Sequence, residues 1–147
     1  MAEQLVIRIS QTSDYKFEVD FGAAMSPIMA DLPPPMGKGS APSPEHLLLA
    51  AVANCLSASL LFALRKFKQN AEGIKTTISC TVERNEQKRV RVTQINAKID
   101  LGKAAAEFEH LERILAQFED FCTVSQSVQA GIPLQVQVVD GEGVVLK

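Results

Sequence analysis

Neither sign of charge is in surplus in this 147-residue chain, where 15 lysines and arginines stand against 17 aspartates and glutamates. The net charge of −2 leaves no basic footprint for nucleic acid or for an anionic membrane surface. Gly-rich phosphate loops and the dinucleotide-binding fingerprint are missing too, so no nucleotide cofactor is expected. The two histidines, His46 and His110, are far apart and have no cysteine pair beside them, so no metal site is expected. The N-terminus "MAEQLVIRIS" has an early glutamate and no basic stretch before an apolar core, which argues against a signal peptide. Cysteine is scarce, and its count of three is odd. Secreted disulfide frameworks use even counts in shorter chains, so free or redox-active thiols in a reducing cytoplasm are expected.

What is present suits a folded domain. Apolar residues make up 46% and charged residues 22%, too few charges for disorder. The length predicts one domain over residues 1–147 with a substantial core. Leu47 to Leu64 is an apolar run at the lower edge of a membrane span, but Asn54, Ser57 and Ser59 interrupt it and no second span follows. It therefore reads as a buried central helix and not as an anchor.

Period and punctuation predict an α+β domain with an antiparallel or mixed sheet. Leu5, Ile7 and Ile9 alternate with Val6, Arg8 and Ser10, Tyr15, Phe17, Val19 and Phe21 alternate with polar residues after "QTSD", and the two runs predict a hairpin. A Pro/Gly-rich connection follows to Pro42, with a short strand at Pro27 to Leu32. Ser43 as N-cap, Pro44 at the first helical position and Glu45 in the first turn open a helix expected to reach about Gln69. Thr76 to Arg84 alternates, placing Ile78, Cys80 and Val82 on the buried face and leaving Arg84 in the same phase. Lys88 to Leu101 is a strand whose phase changes near Thr93–Gln94, which predicts a bulge. Lys103 to Asp120 predicts a second helix, with Phe108, Leu111, Leu115 and Phe118 on one stripe and Glu109–Arg113 as an exposed pair. "TVSQSVQAG" is a short helical segment, Ile132 to Val139 a strand, and "DGEG" a turn.

The chemistry rests on the cysteines. Cys80, in phase with its apolar neighbours, reads as packing. Cys55 lies among Ala50, Ala51, Ala53, Asn54, Ser57, Ala58 and Ser59, small residues that permit close approach of another element, and a core role is open to it. Cys122 directly precedes a short helical segment, a position that favours a thiolate, in a junction where side chains tend to be accessible. Spacing does not show that the two meet.

The run "APSPEHLLLAAVANCLSASLLFAL" and the later "CTVSQSV", with 66 residues between Cys55 and Cys122, resemble the OsmC/Ohr family of thiol-dependent organic hydroperoxide reductases. There a Pro–Glu pair opens a long central helix, the peroxidatic cysteine follows ten residues after the glutamate, and a second cysteine comes late in the chain. Pro44–Glu45, Cys55 and Cys122 occupy those places. The resemblance implies Cys55 as peroxidatic residue, Cys122 as resolving residue, Glu45 supporting the site, an external dithiol as reductant and an intertwined homodimer.

Two sequence features qualify that expectation. Ten helical residues rise about 15 Å, so Glu45 reaches Cys55 only through an intermediate group or as a contact to the other subunit's cysteine, unless it is a dipole residue alone. The family's peroxidases also carry an arginine before the central helix. Between Gln11 and Pro42 this chain has only Lys16 and Lys38 as cations, and lysine lacks the planar fork that pairs with a carboxylate. Arg84 and Lys38 are the candidate replacements, and Thr123 stands where the family usually has proline. The rival expectations are a dimeric binding or redox-sensing protein with a slow thiol pair, and a scaffold with two unrelated buried cysteines.

Overall fold

The computed structural model describes residues 2–147, which divide into two compact units, Met1–Leu48 and Leu49–Lys147, the division falling inside a long helix. In the first unit β1 (Arg8–Ser13), β2 (Lys16–Asp20) and β3 (Ile28–Ala30) form an antiparallel sheet in that order. The hairpin turn is Asp14–Tyr15, with Asp14 in the left-handed region at φ 50°. The strand thus begins later than its apolar pattern predicts and takes in most of "QTSD". Leu5, Val6 and Ile7 precede it and are exposed. After β3, Asp31 organises the connection: its Oδ2 accepts from the Ser40 N–H (3.0 Å), the Ser40 hydroxyl (2.8 Å) and the Lys38 N–H (3.3 Å).

Helix α1 (Pro44–Lys66) begins where its capping residues predict. Ser43 Oγ accepts from the His46 N–H (3.3 Å), and His46 Nδ1 accepts in return from the Ser43 N–H (3.1 Å). This is a reciprocal capping box with histidine in the place usually held by Glu or Gln. The other end comes three residues before the expected Gln69. Lys68 at φ 58° donates to the Arg65 carbonyl (2.9 Å) and Gln69 to the Leu64 carbonyl (2.9 Å), the two bonds of a Schellman cap. By length and hydropathy α1 could cross a membrane, but Val52, Leu56, Ser59, Leu60, Ala63 and Leu64 are buried, which makes it a core helix.

In the second unit β4 (Lys75–Arg84), β5 (Val90–Asp100) and β6 (Leu134–Val139) form a mixed sheet with β5 central, antiparallel to β4 and parallel to β6. Thr81 pairs with Gln94 and Val82 with Val92, so Thr93 is the extra residue of the expected bulge. Ala97, Ile99 and Val138 join Val52, Leu56, Leu60 and Leu64 in one core cluster. The small residues of α1 permit the approach: Ser57 Oγ donates to its own helix at the Ala53 carbonyl (2.7 Å) and lies 2.6 Å from the Thr76 hydroxyl on β4. Cys80 is half-buried beside Ile95, whereas Val82 is 46% exposed because the hairpin extends beyond the core there.

The expected helix over Lys103 to Asp120 is three pieces: a 3₁₀ turn at Ala105–Glu107, α2 (Leu111–Gln117) and a 3₁₀ turn at Phe118–Phe121. The break follows from tertiary hydrogen bonds. The Ala105 N–H is held by Asp140 Oδ2 (2.9 Å), the Glu109 N–H by Gln69 Oε1 (2.9 Å), and His110 turns back at φ 59°. Of the hydrophobic stripe Phe108, Leu115 and Phe118 are buried, and Leu111 is half-buried against the core. Glu109 lies outside α2, so the Glu109–Arg113 pair does not form; among the described residues the one ion pair joins Lys147 and Glu119. Helix α3 (Thr123–Val128) follows directly.

Backbone donors hold two carboxyls below the usual range: Asp31, chiefly through the Ser40 N–H, and Asp140, chiefly through the Ala105 N–H. A depressed folded-state pKa contributes stability that is fully present above the unfolded value and lost as pH falls through the folded one. Thermal melts from about pH 6 to about pH 2 are therefore expected to show a falling Tm. Asp140→Asn should melt lower at neutral pH and lose less on acidification, whereas a parallel acid loss in that variant would count against the assignment.

Candidate active site

Two thiols with 66 residues between them in sequence meet where α1 passes the start of α3. Cys55 is half-buried in the middle of α1, and Cys122 is fully buried at the N-cap of α3. They are unbridged and close enough that each thiol shifts the titration of the other. Cys122 is thus not the accessible junction residue its position predicts, because its side chain turns into the core cluster beside Phe118.

The environment treats the two sulfurs oppositely. Burial pushes the Cys55 thiol up, but hydrogen bonds from the Cys122 thiol, the N–H groups of Val124 and Ser125 and the Ser59 side chain outweigh it, so its pKa lies below that of ordinary cysteine. Burial pushes the Cys122 thiol up, and its bond to Cys55 adds to the rise. The free N–H groups of the first turn of α3 therefore favour the thiolate of Cys55, more than that of the residue capping the helix. The opposed shifts favour the proton on Cys122, facing the Cys55 sulfur. Alkylation by iodoacetamide at stepped pH is expected to modify Cys55 at lower pH than free cysteine, and Cys122 only after a further rise. The reverse order would contradict the asymmetry.

A cleft of about 370 Å³ opens onto Cys55, lined by Ala58, Ser59, Phe62 and Phe121. The Phe62 and Phe121 rings lie 6.0 Å apart between centroids, tilted by 59°, and both are about half exposed. Sequence reading overlooked this pair. Phe62 lies seven residues after Cys55 and so on nearly the same helix face, a signal that was available, but nothing local connects Phe121 to it.

Glu45 is exposed in the first turn of α1, and among the described residues it makes no side-chain hydrogen bond or ion pair. Lys38 donates its backbone N–H to Asp31 in the β3–α1 connection. Arg84 is exposed, not inward-facing as its phase predicts, and donates to the Lys88 carbonyl (2.9 Å) within the β4–β5 hairpin. The partners that hold Cys55 are uncharged. Among the described residues no group of three or more His, Cys, Asp or Glu side chains is arranged to hold a metal ion.

The family model for OsmC-like protein matches residues 37–137. Among solved structures, an OsmC-like protein from Mycoplasma pneumoniae superposes with a TM-score of 0.77 at 14% identity, covering 95% of this chain and 99% of that one. An organic hydroperoxide resistance protein OsmC from Legionella pneumophila gives 0.70 at 16% identity, over 94% and 98%. The organic hydroperoxide resistance protein OhrB of Bacillus subtilis gives 0.69 at 10% identity, over 91% and 98%. These likenesses share the α+β fold with its long central helix. Comparison with curated protein sequences finds no match. By the matched segment and the fold together, the chain belongs to the OsmC-like protein family.

Proposed function

We propose that the protein reduces organic hydroperoxides through a two-cysteine cycle, with Cys55 peroxidatic and Cys122 resolving. What supports this reading most is the placement of two neighbouring thiols, Cys55 at the mouth of a cleft and Cys122 buried behind it, with the pKa of the first lowered and that of the second raised. In the first step the Cys55 thiolate attacks one peroxide oxygen, the O–O bond breaks, and the alkoxide leaves as an alcohol after taking a proton. Cys55 becomes a sulfenic acid. The Cys122 sulfur then attacks Cys55, the S–O bond breaks, and the hydroxyl leaves with the Cys122 proton as water. An external dithiol restores both thiols by exchange.

The family resemblance adds a cytoplasmic homodimer, in which Glu45 supports the site through an intermediate group or from the other subunit. Stopped-flow mixing of the reduced protein with cumene hydroperoxide tests the reading. Consumption far faster than by the same concentration of free cysteine, with one disulfide per subunit, supports an enzyme. A rate equal to that of free cysteine points to the binding or sensing reading, which the uncharged surroundings of Cys55 favour.

A further inference from the structure

The bonds that place Cys122 lead back to one lysine on another element. Helix α3 has six residues, too few to persist on its own, so its N-cap thiol stands where the preceding turn is held. In that turn, Phe118–Phe121, the Glu119 carbonyl accepts from the Cys122 N–H (3.0 Å) and from Gln126 Nε2 (3.0 Å). One of these bonds enters α3 at its cap and the other reaches its interior.

Lys147 grips the same turn from outside. Its Nζ donates to the Leu115 carbonyl (2.8 Å) in the last turn of α2, pairs with the Glu119 carboxylate and stands 5.3 Å from the centroid of the Phe118 ring. A cation suits the carbonyls that a helix leaves open at its C-terminal end. The lysine is itself anchored, because its N–H and carbonyl bond to the carbonyl (3.3 Å) and N–H (3.2 Å) of Val138 on β6. A strut thus runs from the edge of the sheet to the turn that carries the buried thiol. Its two charged side chains are only 35% and 25% exposed, which limits competition from water and salt.

We infer that Lys147 is a positioning residue for disulfide closure, holding the Phe118–Phe121 turn so that Cys122 stays aligned with Cys55. The inference rests on the two-cysteine reading above. Closure brings neighbouring sulfurs to about 2 Å at a narrow range of dihedral angles, so a loosened turn lowers the share of productive approaches.

The test reads closure without any peroxide. Ellman's reagent is added to the reduced full-length protein carrying Cys80→Ser. The Cys55 thiolate attacks the reagent and releases one thionitrobenzoate. The Cys122 sulfur then attacks the Cys55 sulfur, the mixed disulfide breaks, a second thionitrobenzoate leaves, and the Cys122 proton passes to solvent. Lys147→Met keeps an unbranched side chain over the Phe118 ring and removes the charge. It is expected to slow the second release about fivefold and to leave the first within about twofold. Lys147→Arg should retain the parent's second release, and added salt should slow that release in the parent but not in Lys147→Met. A second release unmoved by Lys147→Met, slowed equally by Lys147→Arg, or slowed only together with the first overturns the assignment. A parent protein that releases one thionitrobenzoate removes the two-cysteine reading, and this inference with it. Two releases from a protein that consumes no cumene hydroperoxide remove the peroxidase reading alone, and the Lys147 comparison still decides the role assigned here.

Discussion

Replacing Cys55 with serine is expected to slow hydroperoxide consumption by at least about a thousandfold, because a hydroxyl at this position is not ionised at neutral pH and cannot attack the peroxide. Cys122→Ser should fail differently. Its Cys55 thiolate still reacts, so one equivalent of hydroperoxide is consumed and the protein stops as a sulfenic acid that a dimedone probe traps. The serine hydroxyl can still donate to the Cys55 sulfur, so Cys122→Ala is the variant in which the first step should need a higher pH than in the parent protein. Cys80→Ser, altering the half-buried thiol on β4, should change neither step. Equal activity in the Cys55 and Cys122 variants, or near-normal turnover in either, would remove the division of labour proposed for the pair.

A second large effect is expected away from the reacting atoms. Phe118 is fully buried in the core cluster, immediately after α2 and four residues before Cys122. Truncation to alanine empties a phenyl-sized space and should cost about 3–5 kcal/mol in urea denaturation. The loss reaches the site through a short chain of bonds. Lys147 lies over the Phe118 ring at 5.3 Å, donates to the Leu115 carbonyl (2.8 Å) and pairs with Glu119. The Glu119 carbonyl in turn accepts from the Cys122 N–H (3.0 Å) and Gln126 Nε2 (3.0 Å). Phe118→Ala should therefore also slow the closing of the disulfide more than the attack on peroxide. A loss below about 1 kcal/mol would mean that the surroundings collapse into the vacated space.

Helix α1 was legible in the sequence because its signals are local. Serine caps it, proline and glutamate occupy the first turn, and small residues mark where β4 comes close. The bulge at Thr93 was legible too, since a single extra residue reverses the period-two pattern on either side. The break before α2 was not. Phe108, Leu111, Leu115 and Phe118 have helical spacing, and only the distant Asp140 and Gln69 side chains, by taking backbone donors, divide the segment. The start of β1 was misread for a related reason: Leu5 to Ile7 alternate like a strand but precede the residues that pair with β2.

The site shows the same division. Cys122 could be singled out by the helix it caps and Cys55 by its place ten residues after Glu45, whereas the small residues around Cys55 left a core role open. Which of the two would favour the thiolate could not. That depends on Val124 and Ser125 aiming their N–H groups at the α1 thiol while Cys122 turns inward, a matter of how α3 packs. Arg84 was misplaced because its strand phase holds only as far as the core does. Beyond Thr81 the hairpin is exposed on both faces, and the guanidinium satisfies its own turn.

The most direct test of the account is peptide mapping after the reduced protein has met one equivalent of organic hydroperoxide. The expected result is a single crosslinked peptide joining Cys55 to Cys122, formed in step with loss of the peroxide, with Cys80 still alkylatable. A crosslink that includes Cys80, or oxidised Cys55 with Cys122 still a free thiol, would contradict it.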